Sequence, residues 1–288
     1  MEEIKQKLIE EIFSTIERNC RKKEVGIAFS GGCDSSLLAK ACERLGKKVK
    51  LLTVGLENSF DLKNSKISSQ ALNLPHYTKP LSLEELEEGI KKVISLTKPK
   101  TLVDLEIRVG FYFTFMLAKE NNIKVVLSAN GLDELFCGYK RFCKFLKISE
   151  DAFFEFMERT LEKAFENQEA VRKIASFFGI SYSEPFLDQN FINFAKKVPL
   201  QLKIKSPEDN LRKHITREIA FELGVPKEIA FKVKKSFQYS SGIHKGIEKL
   251  GRKYFTKLQA KNLGFRGIRE AYLNLLNSGQ NFKNNSSS

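Results

Sequence analysis

Residues 29–36 carry side chains that could bind the phosphates of a nucleotide. The string FSGGCDSS follows the apolar run Val25–Ala28 directly and leads into a leucine-rich helical pattern. Two glycines let the backbone approach an anion closely, and the helix start adds N–H groups and a positive dipole end. The hydroxyls of Ser30, Ser35 and Ser36 are further donors. The string lacks Gly-Lys-Ser/Thr and is therefore not a Walker loop.

Asp34 lies within this cradle, where its charge would repel a bare phosphate. The repulsion is removed if the carboxylate holds Mg²⁺ against the phosphate oxygens, so Asp34 is predicted to be a metal ligand. A second acidic string, SANGLDELFCGY at 128–139, follows a later apolar run. Its Asp133 would supply a second carboxylate across the nucleotide.

The hydrophobic pattern predicts elements that would bring these two strings together. Helical spacing is seen over residues 3–19, and helices are also expected from 33 to about 45 and at 60–73, 83–96 and 102–121. Strands are expected at 25–29, 49–54, 76–79 and 124–128. This alternation predicts an α/β fold with a parallel, doubly wound sheet that binds ligands at the carboxyl ends of its strands.

Composition indicates a globular protein and excludes several other classes. The chain has 288 residues, of which 42% are hydrophobic and 29% charged. It contains no apolar run of ~18 residues and begins with an acidic amphipathic segment, so a cytoplasmic protein without a membrane partner is expected. The five cysteines form no C-x-x-C pair, which argues against a structural zinc site or a disulfide framework.

The motifs together resemble the synthetase domain of the asparagine synthetases and their β-lactam-forming relatives, within the PP-loop superfamily of N-type ATP pyrophosphatases. The resemblance covers most of the chain in six ordered pieces beyond the phosphate loop. They are Val54–Leu56 with Asp61–Lys63, Ile107-Arg108, Asp133–Tyr139, Glu184–Asp188, Leu211–Lys213, and Val225–Ala230 with Lys232–Phe237.

The resemblance implies that the chain binds ATP and Mg²⁺. Pyrophosphate would be held by Ser30, Gly31, Gly32, Asp34, Ser35 and Ser36, with Asp34 and Asp133 on Mg²⁺. Phe29, Val54, Ser128 and Ala129 would border the adenosine, and Asn130 and Gly131 would complete the nucleotide site. Lys235 would reach the α-phosphate, with Lys234 its nearest competitor, while Arg108 would assist on phosphate and Asp188 would brace the site or contact substrate.

This sequence departs from the family pattern in two places. The family has Ser-Gly-Glu-Gly, whose Glu is thought to be the base for the incoming amine, where this chain has Asn130. Since an amide is not such a base, another group takes the proton, the amine arrives neutral, or the second step is a different reaction. The glutaminase cysteine that follows the initiator Met in glutamine-dependent enzymes is replaced by Glu2, so ammonia, another amine or a separate amidotransferase subunit is expected to supply nitrogen.

The favoured hypothesis is an ATP- and Mg²⁺-dependent ligase that adenylates a small carboxylate and forms an amide. Its expected organisation is a nucleotide-binding core at 1–145, a helical part at 146–276 and a disordered tail at 277–288. One alternative is a tRNA-modifying PP-loop enzyme, indicated by the net charge of +14, the basic segment between Lys203 and Arg266, and Cys33 and Cys137 within the motifs. A third hypothesis is a subunit that binds the nucleotide but does not catalyse a reaction with it.

Overall fold

A computed structural model describes residues 2–233 and 240–278 of the chain. Five parallel strands form its central sheet: β1 Glu24–Ala28, β2 Lys48–Leu56, β3 His76–Leu81, β4 Val125–Leu127 and β5 Ser181–Ser183. Their order across the sheet is β3-β2-β1-β4-β5. The predicted doubly wound sheet is therefore confirmed. The three-residue strand β5 was not anticipated, because Ser-Tyr-Ser is too short and polar to show a strand pattern.

Helices connect the strands and continue beyond the sheet. The first eight are α1 Glu2–Asn19, α2 Cys33–Arg44, α3 Phe60–Leu72, α4 Leu83–Thr97, α5 Leu102–Glu120, α6 Leu132–Leu135, α7 Arg141–Leu146 and α8 Glu150–Phe178. A 3₁₀ turn at Pro185–Leu187 precedes α9 Gln189–Lys197, α10 Leu200–Lys203, α11 His214–Glu222, α12 Lys227–Ala230, α13 Ile243–Gly251, α14 Lys257–Asn262 and α15 Ile268–Ser278. None of the helices among the described residues is long and apolar enough to span a bilayer.

Local sequence explains where the helices before the second motif begin. Helices α4 and α5 each start with a capping box, in which the Ser82 and Thr101 hydroxyls accept from the N–H groups of Glu85 and Asp104. The carboxylates of those two residues accept the cap N–H groups in return, so helix-end donors are satisfied on both sides. These caps fix the entry of the two helices that lead to β4.

Two hydrophobic clusters cover opposite faces of the sheet. Successive side chains of a strand point to opposite faces, and in β4 Leu127 belongs to the first cluster while Val126 belongs to the second. Helix α8 contributes to both, with Phe153 in the first cluster and Ile174 in the second. The expected domain boundary near residue 145 is not marked by a break in these cores and stays a prediction.

Candidate active site

The glycine loop between β1 and α2 needs glycine at position 31. Gly31 has a φ of +73°, which other residues rarely adopt. A Cβ atom there would lie 2.6 Å from the Asn64 amide nitrogen and 2.9 Å from the Ser65 Cα. Both the backbone conformation and the packing against α3 therefore exclude a side chain. The turn brings the chain to the N-terminus of α2, where first-turn N–H groups lack helical partners.

Helix α3 holds this loop through two polar side chains one turn apart. The amide nitrogen of Asn64 donates to the carbonyl oxygens of Gly31 at 3.1 Å and Ser30 at 3.3 Å, and the Ser68 hydroxyl donates to Gly31 at 2.9 Å. Asn64 and Ser68 are both buried. The ammonium of Lys232 contacts the amide oxygen of Asn64, so this residue of the basic segment between Lys203 and Arg266 lies beside the glycine loop.

Asp34 and Asp133, from the two separate motifs, meet at one ammonium group. The Nζ atom of Lys213 contacts Asp34 Oδ2 and lies 2.7 Å from Asp133 Oδ1. The Lys213 side chain is 2% exposed, whereas the two aspartates retain 17% and 16%. The two carboxylates thus face each other across a single cation at the carboxyl edge of the sheet, and their binding of Mg²⁺ across a nucleotide stays a prediction. Lys213 itself was not identified as a site residue.

The position of Asp133 depends on the absence of a side chain at Gly138. The peptide N–H of Gly138 donates to the Asp133 carbonyl at 2.8 Å. A Cβ atom at Gly138 would lie 1.8 Å from Asp133 Oδ1 and 2.9 Å from its Cα. The Asp133 carboxylate therefore packs directly on the Gly138 backbone, and the second motif needs glycine there.

Buried Arg217 fixes the segment that carries Lys213. Its guanidinium donates to the carbonyls of Arg212 at 2.8 Å and Leu211 at 3.1 Å, and to those of Ala230 at 2.7 Å and Lys232 at 2.9 Å. Arg217 is 1% exposed. One side chain therefore ties the backbone before Lys213 to the C-terminal end of α12 and the residues that follow it. Lys213 has a φ of +54°, so its ammonium is delivered from a left-handed turn.

The donor set at this point suits a magnesium ion that shares its shell with phosphate oxygens. Two carboxylates already surround a positive charge, and Mg²⁺ is commonly held by one or two carboxylates plus substrate phosphates. Within residues 2–233 and 240–278 no group of three or more His, Cys, Asp or Glu side chains could hold a metal. Asp34 and Asp133 would supply two ligands of the ion, and phosphate oxygens of the nucleotide would complete its shell.

The side chains expected to border adenosine lie at neighbouring strand ends. Phe29 follows β1, is 3% exposed, and its carbonyl accepts from the Thr53 hydroxyl at 2.6 Å. Val54 is buried in β2. Ser128 and Ala129 follow β4, with the Ser128 N–H bonded to Ser183 of β5 at 3.1 Å. The parallel sheet thus brings the expected residues to one edge, and contact with adenosine stays a prediction.

Asn130 and Gly131 are fixed against the chain that follows β5. The Asn130 amide nitrogen donates to Glu184 Oε1 at 2.6 Å. Gly131 has a φ of +102°, and a Cβ atom there would lie 2.7 Å from the Phe186 carbonyl oxygen. The turn between β4 and α6 is therefore locked onto the segment that begins with Glu184.

Two further expected residues contact other parts of the molecule. The Arg108 guanidinium donates to Asn167 Oδ1 of α8 at 3.2 Å and to the Thr97 carbonyl of α4 at 3.1 Å, so these bonds join α5 to α8 and α4 rather than to the glycine loop. Its role on phosphate stays a prediction. Asp188 caps α9 and pairs with Arg18 of α1 at 2.9 Å, and its role in bracing the site or contacting substrate stays a prediction. Lys235 and Lys234 lie outside the described residues.

The site contains polar residues that the sequence did not single out. Asn64 and Ser68 could have been found from their spacing of four on a helix after β2. Glu184 was visible as a carboxylate where the family has Val in Val-Pro-Phe-Leu-Asp. Lys213 lay within the family piece Leu211–Lys213 but was given no role, and nothing local distinguished Arg217 from the other cations of the basic segment between Lys203 and Arg266.

Comparison with known proteins gives the family of the chain. The sequence profile "Asparagine synthase" matches residues 14–178 and 166–286. The putative glutamine-hydrolyzing asparagine synthetase 1 of Methanocaldococcus jannaschii is 31% identical over 272 positions, covering 84% of this chain and 50% of that protein. Asparagine synthetase 1 of Arabidopsis thaliana is 30% identical over 249 positions, covering 80% and 41%.

The chain therefore spans about half the length, or less, of these relatives. Among solved structures, NMN synthetase from Francisella tularensis aligns with a TM-score of 0.45 and 17% identity, covering 99% of this chain and 98% of that one. The profile match extends over both motifs and nearly the whole chain. The chain belongs to the asparagine synthase family.

Proposed function

We propose that the chain is an ATP-dependent ligase that adenylates a small carboxylate, releases pyrophosphate, and forms an amide with ammonia or another amine. The observation that carries this proposal is the meeting of Asp34 and Asp133 at one cation beside the glycine loop. Family membership supports the same reaction class. Mg²⁺ bound there would neutralise phosphate charge and polarise the α-phosphorus for attack.

The described residues suit the binding of a polyphosphate. The glycine loop offers backbone N–H groups and the N-terminus of α2, and the Ser30 and Ser35 hydroxyls lie 3.4 Å apart within it. Lys213 and Lys232 place two ammonium groups around the loop. A carboxylate that attacks a phosphate encounters like charge, so these groups would act by lowering that repulsion in the transition state.

Pyrophosphate exchange into ATP tests the proposal, because exchange reports adenylation without the second step. A panel of amino acids and other small carboxylic acids is assayed with ATP and Mg²⁺, and amide formation is then measured with ammonium chloride and, separately, with glutamine. We expect at least one acid to support exchange and Asp34→Asn to lower its rate about 100-fold. Asp151→Asn, an exposed position on α8, serves as the control.

The tRNA-modifying alternative finds little support in the thiols. Cys137 is fully buried, and burial raises the pKa of its thiol to about 12. A nucleophilic sulfur needs an accessible thiolate, so Cys137 is poorly suited to sulfur transfer. Cys33 is also buried. Activity that requires bulk tRNA and no small acid would nevertheless overturn the ligase proposal.

A further inference from the structure

Glu184 places a buried carboxylate in a polar cluster at the carboxyl ends of β4 and β5. The residue is 2% exposed. Its Oε1 atom accepts from Asn130 Nδ2 at 2.6 Å and from the Tyr182 hydroxyl at 2.7 Å, with the Ser128 hydroxyl at 3.5 Å. Such a carboxylate is costly to bury without donors, so two short hydrogen bonds to one oxygen, with the Ser128 hydroxyl 2.8 Å from that of Tyr182, indicate an organised arrangement.

The pKa shifts of Glu184 and Tyr182 indicate which group of this cluster changes its charge with pH. Burial raises the pKa of the Glu184 carboxyl, while hydrogen bonds from Tyr182, Asn130 and Gln168 and the positive charge of Arg172 act in the opposite direction. Burial and the neighbouring Glu184 carboxylate raise the pKa of the Tyr182 hydroxyl well above its usual value. The Glu184 carboxyl is thus the group of this cluster whose charge changes at lower pH.

Asn130 separates this buried carboxylate from the open edge of the sheet. Asn130 is an exposed residue and lies three positions before Asp133 in the sequence. Because the amide nitrogen is bonded to Glu184, the amide oxygen is directed away from the buried cluster. An amide can present either its donor or its acceptor, and the partner that holds one end decides which is presented.

We propose that Glu184 is a positioning residue, whose carboxylate holds the Asn130 amide with its oxygen facing the incoming nitrogen nucleophile. This inference rests on the proposed ligase function. The nucleophile donates an N–H to the Asn130 oxygen and is thereby held beside the activated carboxyl group. An ionised carboxylate only accepts hydrogen bonds, so it admits one orientation of the amide. A protonated Glu184, or a glutamine, admits both.

Hydroxylamine is a suitable probe nucleophile, used with whichever acid supports pyrophosphate exchange. In Glu184→Gln the KM for hydroxylamine, measured at saturating ATP and acid, should rise about fivefold at mildly alkaline pH, the effect of one hydrogen bond. The ratio of the KM for hydroxylamine in Glu184→Gln to that in the wild-type protein should approach one as pH falls, because the protonated wild-type side chain then resembles glutamine. Glu155→Gln, on the exposed surface of α8, is the matched control.

A second variant separates positioning from folding. Asn130→Ala should raise the same KM, measured at saturating ATP and acid, and Glu184→Gln should add nothing further in that background. An unchanged KM in Asn130→Ala, or in a folded Glu184→Gln, would overturn the inference, as would independent effects of the two changes. Absence of acid-dependent exchange in the wild-type protein would instead overturn the proposed function, and this inference with it.

Discussion

Replacement of Lys213 by methionine tests whether its ammonium holds two carboxylates together. Methionine keeps most of the length and apolar stem of lysine but removes the charge between Asp34 and Asp133. The two carboxylates then face each other without their shared cation. We expect the variant to unfold more readily than the wild-type protein in a buffer with a chelator.

The size of the expected loss of stability in Lys213→Met follows from the burial and charge of the three side chains. Removing one partner of a buried ion pair commonly costs about 3–5 kcal/mol. Because the aspartates keep 17% and 16% of their side-chain surface exposed, water offsets part of this cost. We therefore expect a loss of about 2–3 kcal/mol, which for a protein of this size lowers Tm by about 5 °C.

Mg²⁺ should reverse much of this loss in Lys213→Met, since a divalent ion can take the place of the ammonium and stabilises the folded state by mass action. The wild-type protein should show a smaller thermal shift, because Mg²⁺ must displace Lys213. Lys203→Met is the matched control: this lysine is also 2% exposed, but its ammonium donates to the Ala195 carbonyl at 2.7 Å. Equal Mg²⁺ shifts in all three proteins would refute the reasoning.

Three other perturbations follow from described contacts. Gly138→Ala should displace the Asp133 carboxylate, costing about 1–3 kcal/mol in urea unfolding and weakening the Mg²⁺ thermal shift, whereas Gly267→Ala enters open space and should change neither. Arg217→Met removes four bonds to carbonyls and should cost about 3–5 kcal/mol in urea unfolding; a loss below 1 kcal/mol would contradict the clamp. Burial raises the pKa of Asp61 from 3.8 to about 7, so the folded protein keeps a proton that the unfolded chain releases and stability falls as pH rises between these values. Asp61→Asn should remove this part of the pH dependence, which is measured as the change in the free energy of urea unfolding between pH 5 and pH 8. The same change in the wild-type protein and in Asp61→Asn would show that Asp61 does not titrate as inferred.

The central fold was predictable because its signals are local. Apolar runs, helical spacing and the glycine string at 30–32 each lie within a few residues, and parallel strands bring their carboxyl ends to one edge. The pairing of Asp34 with Asp133 followed from this rule. Strand β5 gave no such signal, because three residues are too few to show the alternation of apolar and polar side chains that marks a strand.

The contacts that complete the site could not be read from local sequence. Lys213 reaches Asp34 across 179 positions of the chain, and its basic surroundings resemble an ordinary solvated surface. Glu184 became meaningful only when the fold brought it to Asn130. In both cases the partner is distant in sequence, so periodicity and spacing carry no information about it.

The central position of β1 has a consequence for how the chain assembles. One edge of β1 pairs with β2, which follows it closely, whereas Gly26 and Ile27 on the other edge pair with Val126 and Leu127. During synthesis that second edge stays unpaired until the ribosome has passed residue 127. Open strand edges readily pair with other chains. The nascent chain is therefore most prone to aggregate between the synthesis of β1 and that of β4, before these two strands can pair.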